Sequence, residues 1–345
     1  MSSKEWKTYK LGDLVKFQRG HDLSKSEFVD GNIPIVGSNG IIGYHNKSTC
    51  NAPCITIGRS GSLGTPFFYN EKIWAHNTTL YVKEFYNSDP KFMYYLLQTI
   101  DFKQFNSGSA VPSLNRNYIH PIEVVAPELQ EQQRIASILS SLDDKIELNR
   151  QTNQTLEGIA QTLFQEMCVP KGEELPEGWR VGKLEEVLEI KYGKDHKHLE
   201  DGLIPVYGSG GIMRYANKAL YEHESILIPR KGTLSNLFYI NKPFWSVDTM
   251  FYTKIKNKTY GKFLFLLLKT MNLASMNVGS AVPSLTTQVL NNIEIILPSD
   301  ATIEKFDDIV TPMFTTIESN EQETQTLIAL RDSLLPKLMK GEIEI

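Results

Sequence analysis

The sequence has little of what a membrane protein or a disulfide-stapled secreted protein needs. Its longest uninterrupted apolar run, Phe263–Leu268, has six residues, against the roughly 18 that a membrane-spanning helix requires. The opening segment, Met1–Lys10, is polar and holds no apolar signal core, so we expect a cytoplasmic protein. Cysteine is scarce and odd in number, at Cys50, Cys54 and Cys168, which predicts reduced thiols rather than a disulfide framework.

A strong charge of one sign is also lacking, since the formal net charge is −4 over 345 residues. That average conceals an alternation: residues 1–127 carry +3, residues 128–170 carry −4, residues 171–298 carry +3 and residues 299–345 carry −6. The net charge of the whole chain therefore says little about what each segment contacts.

Two copies of one sequence pattern make up most of the chain. The heptapeptide GSAVPSL occurs at Gly108–Leu114 and again at Gly279–Leu285, 171 positions later. Upstream of a two-residue length difference the offset becomes 173. Such a constant register indicates a duplicated module. Other identical pairs in this register are Trp6 and Trp179, Gly20 and Gly193, Pro34 and Pro205, Arg59 and Arg230, and Trp74 and Trp245.

Each copy alternates short β-prone runs with tight-turn residues, and a long amphipathic helix follows each copy. Ser-Asn-Gly at residues 38–40 and Ser-Gly-Gly at residues 209–211 predict turns between strands. Along residues 128–168 and 301–339, apolar residues recur mostly every three or four positions, as in helices that pack along a seam. We expect the two helices to pair antiparallel through Leu139, Leu142, Leu330 and Leu334.

The predicted fold class is α+β, with two pseudo-repeated mixed α/β domains separated by two long, antiparallel, coiled-coil-like α-helices. The predicted segments are a first domain at residues 1–127, a first long helix at 128–170, a second domain at 171–298 and a second long helix at 299–345.

Signatures of catalysis are missing from the sequence. Gly58, Gly61 and Gly64 suggest a phosphate loop, but no Gly-Lys-Ser/Thr follows, so a turn is expected. His196 and His198 have the spacing of a metal pair on a strand, but the first copy offers no counterpart. We therefore predict a non-catalytic binding protein without a cofactor or metal of its own.

The chain resembles the specificity subunit of Type I restriction–modification systems. The resemblance covers essentially the whole chain and is carried by its organisation and by segments at the start and end of each copy. It departs from the family in its short length and in Asp300–Ile303, where a Glu/Gln-rich start is usual. The matching segments are Trp6–Leu14 (WKTYKLGDL), Pro127–Ile135 (PELQEQQRI), Leu175–Leu184 (LPEGWRVGKL) and Leu334–Ile343 (LLPKLMKGEI).

This resemblance implies a function in sequence-specific DNA recognition. Two target-recognition domains would each bind one half of a split double-stranded DNA site. The helices would bind two modification subunits, which carry S-adenosylmethionine and methylate adenine. Restriction subunits would add translocation and cleavage that depend on ATP and Mg.

Polar residues in predicted turns are the candidates for DNA contact, because arginine suits guanine and amides suit adenine. Residues that differ between the copies are favoured for base contact, whereas the shared Arg59 and Arg230 suit phosphates. The invariant GSAVPSL is expected to be structural or to contact the DNA backbone. The candidates are Arg19, His21, Ser38, Asn39, His45, Arg59, Ser60 and Asn77 in the first copy, and Lys194, His196, Ser209, Arg214, Arg230, Lys231 and Asp248 in the second.

An alternative function is a non-catalytic tandem-repeat scaffold whose helices bind proteins and whose loops bind peptides. The modest excess of +3 in each globular segment is low for a stand-alone DNA-binding protein. This low charge predicts help from partner subunits.

Overall fold

Apolar runs and tight turns fold in each copy into small sheets, and a short helix packs against the four-stranded one. The computed structural model describes residues 6–106, 112–276 and 284–343. Most of GSAVPSL lies outside these ranges in both copies, so the structural role expected of it stays a prediction. The chain divides into two compact units: unit 1 is Met1–Asn149 with Gln322–Ile345, and unit 2 is Arg150–Glu321.

Unit 1 contains a four-stranded antiparallel sheet of order β2-β8-β5-β6, a three-stranded sheet of order β4-β3-β7 and the pair β1-β9. The strands are β1 Lys7–Lys10, β2 Val15–Arg19, β3 Ile33–Gly37, β4 Gly40–His45, β5 Cys54–Gly58, β6 Pro66–Tyr69, β7 Trp74–Ala75, β8 Thr79–Phe85 and β9 Glu123–Ala126. The α-helices that begin in this part of the chain are α1 Leu11–Leu14, α2 Pro90–Gln98, α3 Arg116–Ile119 and α4 Leu129–Cys168, and 3-10 turns lie at Lys25–Glu27 and Phe102–Phe105.

Unit 2 repeats this arrangement with sheets of order β11-β17-β14-β15 and β13-β12-β16 and the pair β10-β18. Its strands are β10 Arg180–Lys183, β11 Leu188–Tyr192, β12 Ile204–Gly208, β13 Gly211–Ala216, β14 Ser225–Pro229, β15 Phe238–Ile240, β16 Trp245–Ser246, β17 Met250–Ile255 and β18 Glu294–Leu297. Its helices are α5 Leu184–Val187, α6 Gly261–Thr270, α7 Thr287–Asn291 and the first half of α8 Asp300–Met339, with 3-10 turns at Lys258–Tyr260 and Leu273–Met276. The predicted α+β class with two repeated domains is confirmed.

The short apolar helix of each copy contributes buried side chains to the main hydrophobic core of its unit. In α2 the side chain of Asp89 accepts a hydrogen bond from the backbone N–H of Phe92, and Pro90 occupies the first turn, as expected for a capped helix start. Phe92 and Leu97 are fully buried among residues of β2, β5 and β8. In unit 2, α6 packs in the same way against β11, β14 and β17.

The two long helices run antiparallel within each unit. In unit 1 a guanidinium nitrogen of Arg331 donates to a carboxylate oxygen of Asp143 at 2.8 Å. In unit 2 the Asn153 amide donates to the Ile317 carbonyl oxygen at 3.2 Å, and the rings of Phe164 and Phe306 lie 6.3 Å apart. Residue numbers therefore rise along α4 while those of its contacts on α8 fall.

One of the predicted seam leucines is misplaced. Leu139 is fully buried and Leu334 packs on the same core, and Leu142 is half-buried. Leu330, however, is 44% exposed, so its prediction is wrong. The seam position is taken by Arg331, one residue later, and one residue corresponds to about 100° around a helix.

Two of the cysteines also depart from expectation. Cys50 and Cys54 are joined as a disulfide, so the prediction of reduced thiols is wrong for this pair. The count of cysteines could not show that the short connection between β4 and β5 brings the two together. Cys168 is free and buried.

Candidate nucleic-acid interface

The segments that follow β2, β3, β5 and β7 meet at one end of the sheets of unit 1. We call residues 19–22, 37–39, 59–61 and 76–78 the first loop cluster. Its centre is the carbonyl oxygen of Thr78, which accepts hydrogen bonds from Arg59 N at 2.8 Å, Ser60 N at 3.2 Å and Ser38 Oγ at 2.7 Å. The hydroxyl of Ser38 also lies 2.7 Å from the Ser60 carbonyl oxygen. Main-chain bonds and the Ser38 hydroxyl therefore hold these loops together.

A glycine allows the end of β2 to approach this cluster. Gly20 N donates to the Thr79 carbonyl oxygen at 3.0 Å, and a Cβ at Gly20 would lie 2.0 Å from the carbonyl oxygen of His76. Any side chain would collide there, so this close approach requires glycine. Gly193 meets the carbonyl oxygen of Val247 at the same 2.0 Å in unit 2.

Charged side chains cover the first loop cluster. Arg19 lies 3.6 Å from a carboxylate oxygen of Asp22, and the Asn77 amide donates to that same oxygen. Arg59 donates from a guanidinium nitrogen to the Asn77 carbonyl oxygen at 3.3 Å. Partial burial lowers the pKa of Arg59, and the neighbouring Arg19 lowers it further while Asp22 opposes. Two guanidinium groups against one carboxylate leave the surface positive.

Unit 2 builds the equivalent second loop cluster from residues 192–195, 208–210, 230–232 and 247–249. Arg230 N donates to the Thr249 carbonyl oxygen at 2.9 Å and Lys231 N to the same oxygen at 3.3 Å. A guanidinium nitrogen of Arg230 lies 3.4 Å from the Asp248 carbonyl oxygen. The guanidinium also stands over the ring of Tyr192, 5.3 Å from its centre, a cation–π distance.

The end of GSAVPSL joins each cluster through the main chain. Leu114 N donates to the Arg59 carbonyl oxygen at 2.8 Å, and Leu285 N donates to the Arg230 carbonyl oxygen at 3.0 Å. Both clusters thus have the same backbone frame. The side chains on that frame differ: Arg19 is replaced by Tyr192, Ser60 by Lys231 and Asn77 by Asp248.

Most, but not all, of the predicted first-copy residues come together. Arg19, Ser38, Arg59, Ser60 and Asn77 belong to the bonded cluster described above. Asn39 follows Ser38 in the exposed turn between β3 and β4, and His21 follows Gly20, with its ring 3.4 Å from the Tyr81 hydroxyl.

His45 lies elsewhere, in the core. It is 5% exposed, its Nδ1 accepts from Val29 N at 3.1 Å, and its ring packs edge-on to Trp74 at 5.1 Å. A buried side chain with these partners does not reach DNA, so the prediction of a DNA contact is wrong for His45.

The predicted residues of the second copy also fall into two groups, those inside the second loop cluster and those outside it. Lys194, Ser209, Arg230, Lys231 and Asp248 lie in the second loop cluster. Arg214 is held on β13 by the Leu199 carbonyl oxygen at 2.9 Å and by Asp201 at 3.1 Å. His196 has a buried Nδ1 without a hydrogen-bond partner in the described part of the chain. No bond brings Arg214 or His196 into the cluster within the described ranges.

Sequence reasoning missed Asp22 and Tyr192. Asp22 aligns with the identical Asp195, and residues shared by the copies were not favoured as base-contacting residues. Tyr192 aligns with Arg19 at the offset of 173, so the alignment of the copies contained the signal.

Within the described residues, no group of three or more His, Cys, Asp or Glu side chains is placed to hold a metal ion. The described helices include none long and apolar enough to cross a membrane.

Comparison with known proteins identifies relatives of both copies. The family model described as "Type I restriction modification DNA specificity domain" matches residues 3–158 and again residues 176–329. The chain is similar to two proteins of Methanocaldococcus jannaschii. It is 27% identical over 300 residues to the Type I restriction enzyme MjaIX specificity subunit, covering 74% of this chain and 69% of the relative. It is 24% identical over 397 residues to the MjaVIII specificity subunit, covering 99% and 93%.

A solved structure has the same fold. The crystal structure of the Type-I restriction-modification system S subunit from M. genitalium gives a TM-score of 0.74 at 19% identity, covering 98% of this chain and 97% of that one. At this identity, the likeness is one of architecture.

Proposed function

Because the chain belongs to the family of Type I restriction–modification DNA specificity domains and contains two matches to it, we propose that it recognises a bipartite DNA target, one half with each copy. The family resemblance found in the sequence is confirmed by this match. The chain is a specificity subunit, and the scaffold alternative is not favoured.

One observation carries the proposal for the mode of recognition. The two loop clusters have the same main-chain bonds, such as Arg59 N to Thr78 O at 2.8 Å and Arg230 N to Thr249 O at 2.9 Å, and different side chains on that frame. A shared frame suits two copies that approach DNA in the same way. Different hydrogen-bonding groups suit recognition of different bases.

The side chains divide between two tasks in this proposal. Arg59 and Arg230, present in both copies and tied to a neighbouring carbonyl oxygen, neutralise phosphates and position each copy on the duplex. Arg19, Asn39, Ser60 and Asn77 in the first copy, and Lys194 and Lys231 in the second, face base edges. His21, Ser38 and Ser209 support these loops.

Partner subunits supply the chemistry. The long helices carry an excess of negative charge, with −4 over residues 128–170 and −6 over residues 299–345. Negative helices would be repelled by DNA and suit protein contacts. They would bind two modification subunits that carry S-adenosylmethionine, joined by restriction subunits that use ATP and Mg. This chain would be non-catalytic and act in the cytoplasm.

Exchange of one domain tests the proposal. Replacing residues 10–127 by the equivalent segment of another specificity subunit should change one half of the methylated motif, measured by genome-wide methylation sequencing. The other half and the spacer should stay unchanged. The matched control replaces residues 183–298 and should change the opposite half. A change in both halves from one exchange would contradict separate recognition.

A further inference from the structure

One position of the loop clusters combines an identical backbone setting with a different head group in the two copies. Asn77 and Asp248 align at the offset of 171. Each offers its carbonyl oxygen to a guanidinium nitrogen of the shared arginine, Arg59 at 3.3 Å and Arg230 at 3.4 Å. The next residue in each copy accepts the arginine's backbone N–H. The two side chains therefore start from equivalent places beside equivalent charges.

The amide of Asn77 has a fixed orientation. Its nitrogen donates to Asp22, whose carboxylate also pairs with Arg19. A carboxylate only accepts, so the amide nitrogen must face Asp22 and the amide oxygen must face away. Within the described ranges, neither the amide oxygen nor the second N–H makes a hydrogen bond. Adjacent acceptor and donor groups match the N6 and N7 positions of adenine in the major groove.

Asp248 offers different chemistry at the equivalent place. It is exposed, and its carboxylate accepts hydrogen bonds without donating any. Asp195, at the position of Asp22, is also an acceptor, and it lies 3.9 Å from the His198 ring nitrogen Nδ1. An acceptor alone matches the N4 amino group of cytosine.

We propose that residues 77 and 248 each determine one base of their half-site, Asn77 selecting adenine and Asp248 selecting cytosine, with Asp22 as a positioning residue that orients the Asn77 amide. The inference rests on the proposed function, because it assigns bases to loop clusters that are taken to contact DNA.

Reciprocal substitution tests the two specificity residues. The full chain would be co-purified with its modification subunits, and methylation measured on duplexes randomised at one position of the motif at a time. Asn77→Asp should change one position of the first half from adenine to cytosine, and Asp248→Asn should change one position of the second half from cytosine to adenine. Each preference should shift by roughly 5- to 150-fold, as one base contact allows.

Two substitutions of Asp22 test its role as a positioning residue. Asp22→Ala should weaken the preference at the Asn77 position alone, because the amide can then turn over. Asp22→Asn should largely retain it, because its amide oxygen still accepts from Asn77. A merely structural role would instead lower methylation equally for every base at every position, and that result would remove Asp22 from the proposal.

The outcomes separate this inference from the proposed function. If exchange of residues 10–127 changes the first half while Asn77→Asp and Asp248→Asn leave every base preference unchanged, the function stands and this inference fails. If neither the exchange nor the substitutions change any base, the proposed function fails. Should Asn77→Asp not fold, Asp248→Asn in the other unit decides alone, and an unchanged preference there overturns the inference.

Discussion

Arg59 and Arg230 are charged candidates that both copies retain, and backbone contacts hold them in place. Each receives the backbone N–H of the last residue of GSAVPSL on its own carbonyl oxygen, from Leu114 or Leu285. Each guanidinium also contacts a carbonyl oxygen in the loop after β7 or β16. A group placed in the same way in two copies that recognise different sequences suits the phosphates, which are the same everywhere.

Arg59→Ala should therefore weaken binding to all DNA sequences alike. The loss of one phosphate contact should reduce the slope of log affinity against log salt by about one. Titration of the complex with specific and nonspecific duplexes at several salt concentrations measures this. Lys16→Ala is the control, since Lys16 pairs with Glu84 at 3.1 Å on the neighbouring strands and lies outside the loop cluster. A selective loss for the specific duplex would show that Arg59 contacts a base.

His120 makes stability depend on pH. Its Nε2 accepts the backbone N–H of Phe17 at 3.0 Å, which requires an unprotonated nitrogen. Burial, and then the charge of Arg116, lower the pKa of His120 below its ordinary 6.5. The unfolded chain therefore binds more protons at mildly acidic pH. The stability contributed by the neutral ring is complete above pH 6.5 and is lost as the pH falls from 6.5 to the lowered value.

Urea unfolding between pH 7.5 and 5.5 would measure this loss. His120→Asn, which installs the residue that the second copy carries as Asn291, should reduce the pH dependence. His198→Asn is the matched control, because that side chain is 64% exposed and its removal should change little. An identical pH profile for His120→Asn and the unmodified chain would exclude His120 as the source.

At the scale of elements, the sequence predicts the secondary structure that both copies share. It does not predict which face of an element is buried, because that depends on packing. The constant offset between the copies predicted two similar domains, and the Ser-Asn-Gly turn predicted the β3–β4 hairpin, where Gly40 has φ +103°. His45, however, is buried while Ile41 and Tyr44 of the same strand are 49% and 54% exposed. Polarity alone would expose His45 and bury Ile41 and Tyr44. His45 is buried instead because its ring packs against Trp74.

The sequence likewise does not predict which residues of the long helices face each other. Their spacing identified them, but the choice of Leu330 assumed that a leucine marks the seam. The seam instead passes through Arg331, which pairs with Asp143 at 2.8 Å, and through polar residues such as Asn149, which is 2% exposed and donates to Glu323 at 2.9 Å. Buried polar positions in a helix pair are invisible to a count of apolar residues.

Leu139→Ala and Leu330→Ala should therefore differ strongly in stability. Leu139 is fully buried, and its truncation should lower the free energy of unfolding by about 2–5 kcal/mol. Leu330 is 44% exposed, and its truncation should change that energy by less than about 0.5 kcal/mol. Urea unfolding of both variants gives the comparison. Equal losses would mean that Leu330 is buried in solution.

At the scale of the whole molecule, duplication explains why so much of the candidate site could be predicted. Aligning the copies separated Arg59, which is shared, from Ser60 and Asn77, which vary. The same comparison set aside Asp22, because Asp195 matches it. The function of Asp22 follows from what it touches, namely Asn77 and Arg19, and only the structure provides those contacts.

The distribution of charge predicts that the chain needs its partners. Each globular segment carries only +3, and the helical segments carry −4 and −6. Nucleic-acid affinity depends largely on neutralised phosphates, so the purified chain should bind DNA weakly and without sequence preference. Specificity should appear when one chain assembles with two modification subunits. Gel shifts on duplexes with and without the methylated motif, before and after adding those subunits, measure both states.

The salt dependence of the affinity gives this prediction its control. Partner subunits that cover the negative helices would remove their electrostatic repulsion of DNA. Because that repulsion is strongest at low salt, the gain in affinity on adding the subunits should be larger at low salt than at high salt. A gain in affinity that does not change with salt would indicate that the subunits act by ordering the loop clusters instead. Tight, sequence-specific binding by the isolated chain would contradict the charge argument. Absence of DNA binding in both states would return the chain to the scaffold alternative, with its helices binding proteins and its loops binding peptides.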